Sequence, residues 1–250
     1  MKIVVTDHSF PDLAIEETIA AAAGATLVAA QTKDPARLAA AVADADAVIT
    51  QFAPVNADVV NAMRRARAIV RYGIGVDNVD LAAAKSRGIP VCNVPDYCID
   101  EVADHTLAFI LALTRQVAEQ SRMVHAGEWK LAGAPKDFRT LAGMTCGVVG
   151  FGRIGRGVVR RLVAFGGRVL VSDPMATAEA VAAAGAEAVP LQKLLAESDL
   201  VTLHCPSLPE TKGMINAATL AAAKPGLLVV NLSRGDLVDP AALVAALDSG

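Results

Sequence analysis

Aromatic side chains are scarce in this sequence: one Trp, two Tyr and six Phe among 250 residues, 4% of the chain, although 54% of it is hydrophobic. A core must then be built from Ala, Val, Leu and Ile, which suits helices packed closely on sheets. No uninterrupted apolar run approaches the ~18 residues of a membrane span, so no membrane-crossing helix is expected. Neither charge dominates: 23 basic side chains stand against 26 acidic ones, for a net charge of −3. That balance leaves no electrostatic footprint for nucleic acid. The one dense basic run, Arg64, Arg65, Arg67 and Arg71, reads as a helix end followed by a strand, where cations meet the negative end of a helix dipole. The four cysteines, Cys92, Cys98, Cys146 and Cys205, form no C-x-x-C pair and no metal-type spacing. No metal is expected, and reduced, buried thiols in a cytoplasmic protein are the simplest account. The opening MKIVVTD is already strand-like and leaves no room for a signal peptide.

What is present is β-α alternation, twice. Short apolar runs at 3–6, 26–30, 47–50, 68–72 and 90–94 are separated by helical patterns at 12–23, 35–42, 56–63 and 80–87. Continuous apolar runs, without in-out alternation, mean strands covered on both faces, hence a parallel sheet. A longer helical pattern follows at about 100–120, with Val102, Leu107, Ile110, Leu111 and Leu113 leaving little polar face. It reads as one buried connecting helix. Residues 121–145 have weak periodicity, hold the only Trp, Trp129, and read as an interdomain or interface segment. From Cys146 the alternation restarts, with strands expected at 146–150, 168–172, 186–189, 200–204 and 227–232. The fold class is therefore α/β, with two doubly wound parallel-sheet lobes.

The second lobe opens CGVVGFGRIGRG. Gly150, Gly152 and Gly155 form G-x-G-x-x-G directly after a strand and at the start of a helix. The first glycine allows the tight turn, the second lets backbone approach a pyrophosphate, and the third lets helix pack on strand. The helix N-terminus offers free N–H groups to the phosphates. The next strand ends in Asp173, at the roughly 20-residue distance where a carboxylate accepts from the adenosine ribose. Pro174, Met175 and Ala176 follow with no cation for a 2′-phosphate, which favours NAD over NADP. This lobe is expected to be a Rossmann NAD-binding domain.

The first lobe carries a related loop, Tyr72-Gly73-Ile74-Gly75-Val76-Asp77-Asn78. Asn78 stands where a third glycine would be, so close helix packing is not served there. Successive N–H groups can still turn inward as an anion nest, and a small carboxylate fits Gly73, Ile74 and Gly75 better than a dinucleotide does. A plain glycine-rich turn is the alternative. In the second lobe Arg234 follows the fifth strand, at the carboxyl end where doubly wound sheets bind ligands. A guanidinium there can grip a carboxylate and polarise a neighbouring carbonyl. Two such lobes imply a cleft with the arginine in it.

The stretches VPDYCIDEVADHTLAFILAL, GVVGFGRIGRG, LHCPSLPETKGMIN and NLSRGDLVDPAALVAAL resemble the D-isomer-specific 2-hydroxyacid dehydrogenase family. YGIGVDNVDL and CNVPDYCIDEVADHTL are most similar to its phosphoglycerate-dehydrogenase-like and C-terminal-binding-protein-like branch. The resemblance implies a flavodoxin-like substrate domain over residues 1–98 and an NAD-binding domain with its connecting helix over 99–250. It implies Arg153 and Ile154 at the pyrophosphate, Asp173 at the ribose, and Cys205 and Pro206 along the cofactor. Leu232, Ser233 and Arg234 would lie at the nicotinamide, Thr106 would approach from the other lobe, and Ile74 would meet substrate and nicotinamide. The implied reaction is hydride transfer between NAD and C2 of a D-2-hydroxy or 2-keto acid, in a cytoplasmic homodimer. Arg234 would orient the substrate, and a histidine supported by a glutamate would carry the proton. An NAD-sensing regulatory protein of the same fold, or an inactive homologue, is the alternative.

That Glu and His should follow the arginine, beyond the helix expected at 240–248. The second lobe shows five strands where the order 3-2-1-4-5-6 wants six. The expectation is a Rossmann domain lacking its last strand or strands, and a chain cut short at its C-terminus. None of His8, His105, His125 and His204 combines a credible location with a carboxylate partner. The 250-residue polypeptide is therefore expected to bind NAD weakly at most and not to turn over.

Overall fold

The structure, a computed structural model, describes residues 1–249. The chain divides into two compact units, Met1–Tyr97 and Cys98–Gly250.

In the first unit β1 (Lys2–Val5), β2 (Thr26–Ala29), β3 (Ala47–Thr50), β4 (Ile69–Arg71) and β5 (Val91–Cys92) alternate with α1 (Ala14–Ala22), α2 (Pro35–Val42), α3 (Ala57–Ala62) and α4 (Leu81–Ser86). All pairings are parallel, in the order β2-β1-β3-β4-β5. This is the flavodoxin-like order, with its switch point at the carboxyl ends of β1 and β3. Three helices start on carboxylate or amide caps: Asp34 accepts from Arg37 N–H, Asn56 from Val59 N–H and Asp80 from Ala83 N–H. Each satisfies a backbone donor that the first helical turn leaves orphaned. Val4, Leu38, Val48, Val59, Met63 and Ile69 fill the core. The basic run lies where helix gives way to strand: Arg65 pairs with Asp46 at 2.7 Å and Arg64 Nε donates to the Ala43 carbonyl.

The second unit begins with α5 (Ile99–Thr114) and α6 (Val117–His125), then continues β6 (Thr145–Val149), α7 (Arg153–Ala164), β7 (Arg168–Ser172), α8 (Ala178–Ala183), β8 (Glu187–Ala188), α9 (Leu191–Glu197), β9 (Leu200–Leu203), α10 (Ala217–Ala221), β10 (Leu228–Asn231) and α11 (Pro240–Ser249). Its parallel sheet runs β10-β9-β6-β7-β8, which in order of appearance is 3-2-1-4-5 read from β8. That is the Rossmann order through its fifth strand. Val148, Val158, Val159, Leu162 and Leu200 are buried on one face of the sheet, Leu170, Leu194, Val201 and Leu203 on the other.

The single buried helix expected at 100–120 is two helices, and it is not buried all round. Gln116 adopts the left-handed conformation at φ +51° and ends the first helical run. The Thr114 carbonyl, released by that break, accepts instead from Arg139 N–H at 3.0 Å. Only the stripe Ala103, Thr106, Leu107, Ile110 and Thr114 is buried. It packs on α7 where Gly157 leaves room for the Ala103 methyl, while Phe109 and Leu113 are exposed. The cysteines are all free, but only Cys146 is buried and Cys92 is exposed, so four buried thiols is a corrected expectation. Among the described residues no helix is long and apolar enough to cross a membrane, and no cluster of His, Cys, Asp or Glu could hold a metal ion.

Candidate functional site

The turn between β6 and α7 gives each glycine a different physical reason to be there. Gly150 has φ +96°, and a Cβ on it would come within 2.7 Å of the His204 carbonyl group. Both the conformation and the close approach of backbone require the missing side chain. A Cβ on Gly155 would collide with the Gly150 carbonyl oxygen, so helix and turn touch backbone to backbone. Gly152 is the contrast: a Cβ there would meet nothing within 4 Å. It is the N-cap of α7, with no side-chain cap. The first helical N–H groups, those of Arg153 and Ile154, have no acceptor within the helix. Open space in front of unpaired donors is what a pyrophosphate needs.

Asp173, just past β7, holds this turn from the other side. Its carboxylate accepts from Phe151 N–H at 2.6 Å and from Met175 N–H at 2.8 Å, which still leaves lone pairs for sugar hydroxyls. Arg156 closes the turn: its Nε donates to the Phe151 carbonyl at 3.1 Å and its guanidinium lies 5.1 Å from the Phe151 ring. Beside Asp173 opens a cavity of about 380 Å³, lined by Val189, Pro190, Leu191 and Met214 together with Gly150, Cys205 and Asp173 itself. A largely apolar slot with a carboxylate in its lining suits a heteroaromatic base joined to a ribose.

Two further segments approach from β9 and β10. After β9 the chain passes through His204, Cys205 and Pro206. His204 donates its N–H to the Val149 carbonyl, and its Nε2 lies 2.9 Å from the Thr202 hydroxyl. Burial lowers its pKa from 6.5 to about 4, so the ring is neutral at physiological pH. The Cys205 thiol touches Met214 Sδ at 3.7 Å, and burial pushes its pKa up, which disfavours a thiolate. The exposed Pro206 has its carbonyl engaged by the Thr211 hydroxyl at 2.7 Å.

After β10 the side chain of Asn231 organises the next turn. Its Oδ1 accepts from Ser233 N–H at 3.0 Å, and its Nδ2 donates to the Arg234 carbonyl at 2.7 Å. The Ser233 hydroxyl then donates to the Cys205 carbonyl, tying the two segments together. Arg234 is half-buried, with Nη1 on the Ser233 carbonyl at 3.0 Å, and Leu232 is half-buried in the same turn. Thr106 lies in the same unit as the glycine turn, not in the other one as expected. Its side chain is buried on α5 and its hydroxyl returns to the Val102 carbonyl at 2.7 Å.

The first unit carries the loop after β4. Gly73 is at φ +153°, and a Cβ on it would overlap the Arg71 guanidinium, which occupies that space. Gly73 N–H folds back to the Arg71 carbonyl at 2.9 Å, while its own carbonyl accepts from Val94 N–H. Asn93 Nδ2 donates to the Ile74 carbonyl at 2.7 Å. The N–H groups of Ile74 and Gly75 have no acceptor among the described residues of the unit. Asn78, where a third glycine would be, donates to the Ala53 carbonyl at 2.9 Å.

No histidine meets a carboxylate among the described residues. His8 Nδ1 lies 3.1 Å from the Phe10 carbonyl, His105 stacks edge-on against Phe109 at 4.8 Å, and His125 Nδ1 lies 2.8 Å from the Ser121 carbonyl.

The NAD-binding-domain model of the D-isomer specific 2-hydroxyacid dehydrogenases matches residues 107–250. The chain belongs to the D-isomer-specific 2-hydroxyacid dehydrogenase family. It is 41% identical over 218 residues to D-3-phosphoglycerate dehydrogenase of Mycobacterium leprae, a match covering 87% of this chain and 41% of that protein. With glyoxylate reductase of Pyrococcus furiosus it shares 40% identity over 215 residues, 84% of this chain and 64% of the reductase. The chain thus spans about two fifths of the length of the phosphoglycerate dehydrogenase it matches. Among solved structures it is similar to D-lactate dehydrogenase from Aquifex aeolicus complexed with NAD and lactic acid, at TM-score 0.90 and 28% identity over 99% of this chain and 74% of that one. The apo-structure of D-lactate dehydrogenase from Escherichia coli matches at TM-score 0.81 and 30% identity, over 100% and 79% of the two chains. The second unit is the dehydrogenase family's NAD-binding domain.

Three features of this chain were not read from the sequence: the Asn231 clamp, the Arg156 latch on Phe151, and the Arg71 guanidinium on Gly73. Asn231 had a usable signal, because Asn two residues before a turn residue commonly bonds the backbone ahead of it. The other two depend on which rotamer a long side chain adopts, and spacing does not encode that.

Proposed function

We propose that the protein is an NAD-dependent oxidoreductase that transfers a hydride between nicotinamide and C2 of a small D-2-hydroxy or 2-keto acid. The observation that carries this reading is the Gly150–Gly152–Gly155 turn, with one glycine at positive φ, one open to a ligand and one in backbone contact, beside Asp173 and its apolar slot. NAD supplies the hydride acceptor and donor when bound. The N–H groups at Gly152, Arg153 and Ile154 would hold its phosphates, and Asp173 its ribose. Cys205 and Pro206 line its path, and residues 232–234 lie toward the nicotinamide.

Arg234 orients the acid's carboxylate and polarises its carbonyl, a double task that a planar fork of donors can perform. The free N–H groups of Ile74 and Gly75, with Gly73 shaping the loop, take the carboxylate. Arg71, lying on that loop, would serve a phosphate or second carboxylate on a larger substrate. The hydroxyl proton needs a carrier whose pKa lies near the working pH. His204 at about 4 does not meet that need, and no other described histidine is paired with a carboxylate. The described residues therefore hold and orient the reactants without the proton carrier.

Phe109, Leu113, Val117, Val124, Trp129 and Leu131 are all exposed in the second unit. A set of this size supports burial against a second copy of the chain, in a cytoplasmic homodimer.

The test titrates NADH and then oxalate, an unreactive 2-keto acid mimic, into the chain. Asp173→Asn should weaken NADH tenfold or more, and Arg234→Gln should leave NADH binding intact while abolishing the response to oxalate. Equal oxalate binding by the Arg234→Gln variant would overturn the reading. So would robust oxidation of NADH by glyoxylate with this chain alone, since that requires a proton carrier among the described residues.

A further inference from the structure

Asp7 stands just beyond β1, at the switch point of the first unit's sheet, and no step described above uses it. It is 6% exposed, and among the described residues its hydrogen-bond partners are backbone N–H groups and a hydroxyl, with no ion pair. Its carboxylate instead accepts from three successive backbone N–H groups, Gln51 at 3.1 Å, Phe52 at 3.0 Å and Ala53 at 3.0 Å, and from the Thr6 hydroxyl at 2.9 Å. Burial pushes the carboxyl pKa up, but the bonds from Ala53, Gln51, Phe52 and Thr6 outweigh it and leave the group below the usual carboxylate value. The charge is thus held by aligned backbone dipoles, an arrangement that fixes a loop very firmly.

Two of these residues, Gln51 and Ala53, turn their carbonyl groups toward the residues that flank the anion loop. The Gln51 carbonyl accepts from Arg71 Nε at 3.1 Å, and the Ala53 carbonyl accepts from Asn78 Nδ2 at 2.9 Å. Arg71 and Asn78 bracket Gly73, Ile74 and Gly75 in sequence. The Phe52 ring lies 5.8 Å from the Arg71 guanidinium as well. A chain of direct bonds therefore runs from Asp7 through residues 51–53 to both ends of the loop. Residues 51–53 have no helix or strand of their own; besides the Asp7 carboxylate, the Ser9 N–H bond to Gln51 Oε1 at 2.7 Å and the end of β3 at Thr50 hold this segment.

We propose that Asp7 is a positioning residue: by holding residues 51–53 it aims the Arg71 guanidinium across Gly73 and fixes the Gly73–Ile74–Gly75 loop for an anion. This rests on the reading of that loop as an anion site. Replacing Asp7 by Asn keeps its volume but puts an N–H₂ group opposite an N–H donor, so the loop must shift.

The experiment compares the whole chain and Asp7→Asn by nuclear magnetic resonance, with oxalate as the probe. Two signals are followed: the Arg71 Nε–H resonance, which reports the bond to Gln51 without any ligand, and the oxalate-dependent shifts of the Gly73 and Gly75 amides. The expected result is a displaced Arg71 signal and at least a tenfold loss of oxalate affinity, with the remaining amides still dispersed. If oxalate fails to move Gly73 and Gly75 in the parent chain, the anion-site reading fails, and the Arg71 signal alone then decides the role of Asp7. If Asp7→Asn does not fold, Thr6→Val removes one of the four donors. It should move the same Arg71 signal the same way and weaken oxalate about two- to threefold. An Arg71 signal unmoved by the folded variant would overturn the proposal.

Discussion

The two glycine loops of this chain start alike and end differently. Each follows a parallel strand, each has Gly-x-Gly, and each begins with a glycine in the positive-φ region, Gly73 at +153° and Gly150 at +96°. In the second unit a helix begins at once, at Arg153, because Gly155 lets it sit on the Gly150 carbonyl. In the first unit Asn78 replaces the third glycine, the chain takes a further turn, and the next helix waits until Leu81 on an Asp80 cap. One loop therefore aims a helix N-terminus at its ligand, while the other offers only its own N–H groups and the arginine lying on it. A long phosphate-bearing cofactor needs the former, and a small carboxylate can be held by the latter. The third glycine is what separates them.

Substitutions at the glycines should break this comparison most severely. Gly155→Ala forces a methyl group into backbone, and overpacking of that kind costs about 1–3 kcal/mol or more. Thermal unfolding should show the loss, and NADH binding should disappear with it. Gly152→Ala meets nothing, so its unfolding temperature should stay within a degree or two while NADH affinity falls at least tenfold. Equal effects from the two variants would erase the distinction between a packing glycine and a ligand-facing one. Gly73→Ala must push the Arg71 guanidinium aside, so oxalate binding should weaken several-fold while NADH binding is unchanged.

Acid should act on the second unit through His204. Its folded-state pKa, about 4, lies below its ordinary 6.5, so between those values the unfolded chain binds the proton that the folded one refuses. Stability is then complete above about pH 6.5 and falls as pH drops toward 4, by about 3 kcal/mol from this group. Denaturant unfolding of the parent and His204→Gln across that range should show the difference, with a flatter profile for the variant. The smallest effect belongs to the basic run. Arg65 is largely exposed in its pair with Asp46, and Arg65→Ala should change stability by at most about 1 kcal/mol, with no effect on either ligand.

Much of this architecture could be read from pattern, and the places where reading stopped are physically instructive. Ten strands and the glycine turn follow from apolar runs and local backbone needs, both of which are carried by neighbouring residues. The break at Gln116 has no such signal: neither Gly nor Pro marks it, and it is fixed by a distant segment, Arg139, bonding the freed Thr114 carbonyl. The placing of Thr106 across from the glycine turn failed for a related reason. Its apolar neighbours announce a buried helix face but do not say which unit buries it. Asp7 looks in sequence like an ordinary loop acid after a strand. Only the fold brings residues 51–53, more than forty positions away, around its carboxylate.

The central claim is that the second unit's turn receives NAD through open backbone donors and the Asp173 carboxylate. The most direct test is an amide-resolved titration of the chain with NAD at millimolar concentration, with NADP in parallel. Shifts centred on Gly152, Arg153, Ile154 and the Asp173 region, clearly larger with NAD than with NADP, are the expected result. Silence at those amides throughout the titration, or a stronger response to NADP, would contradict it.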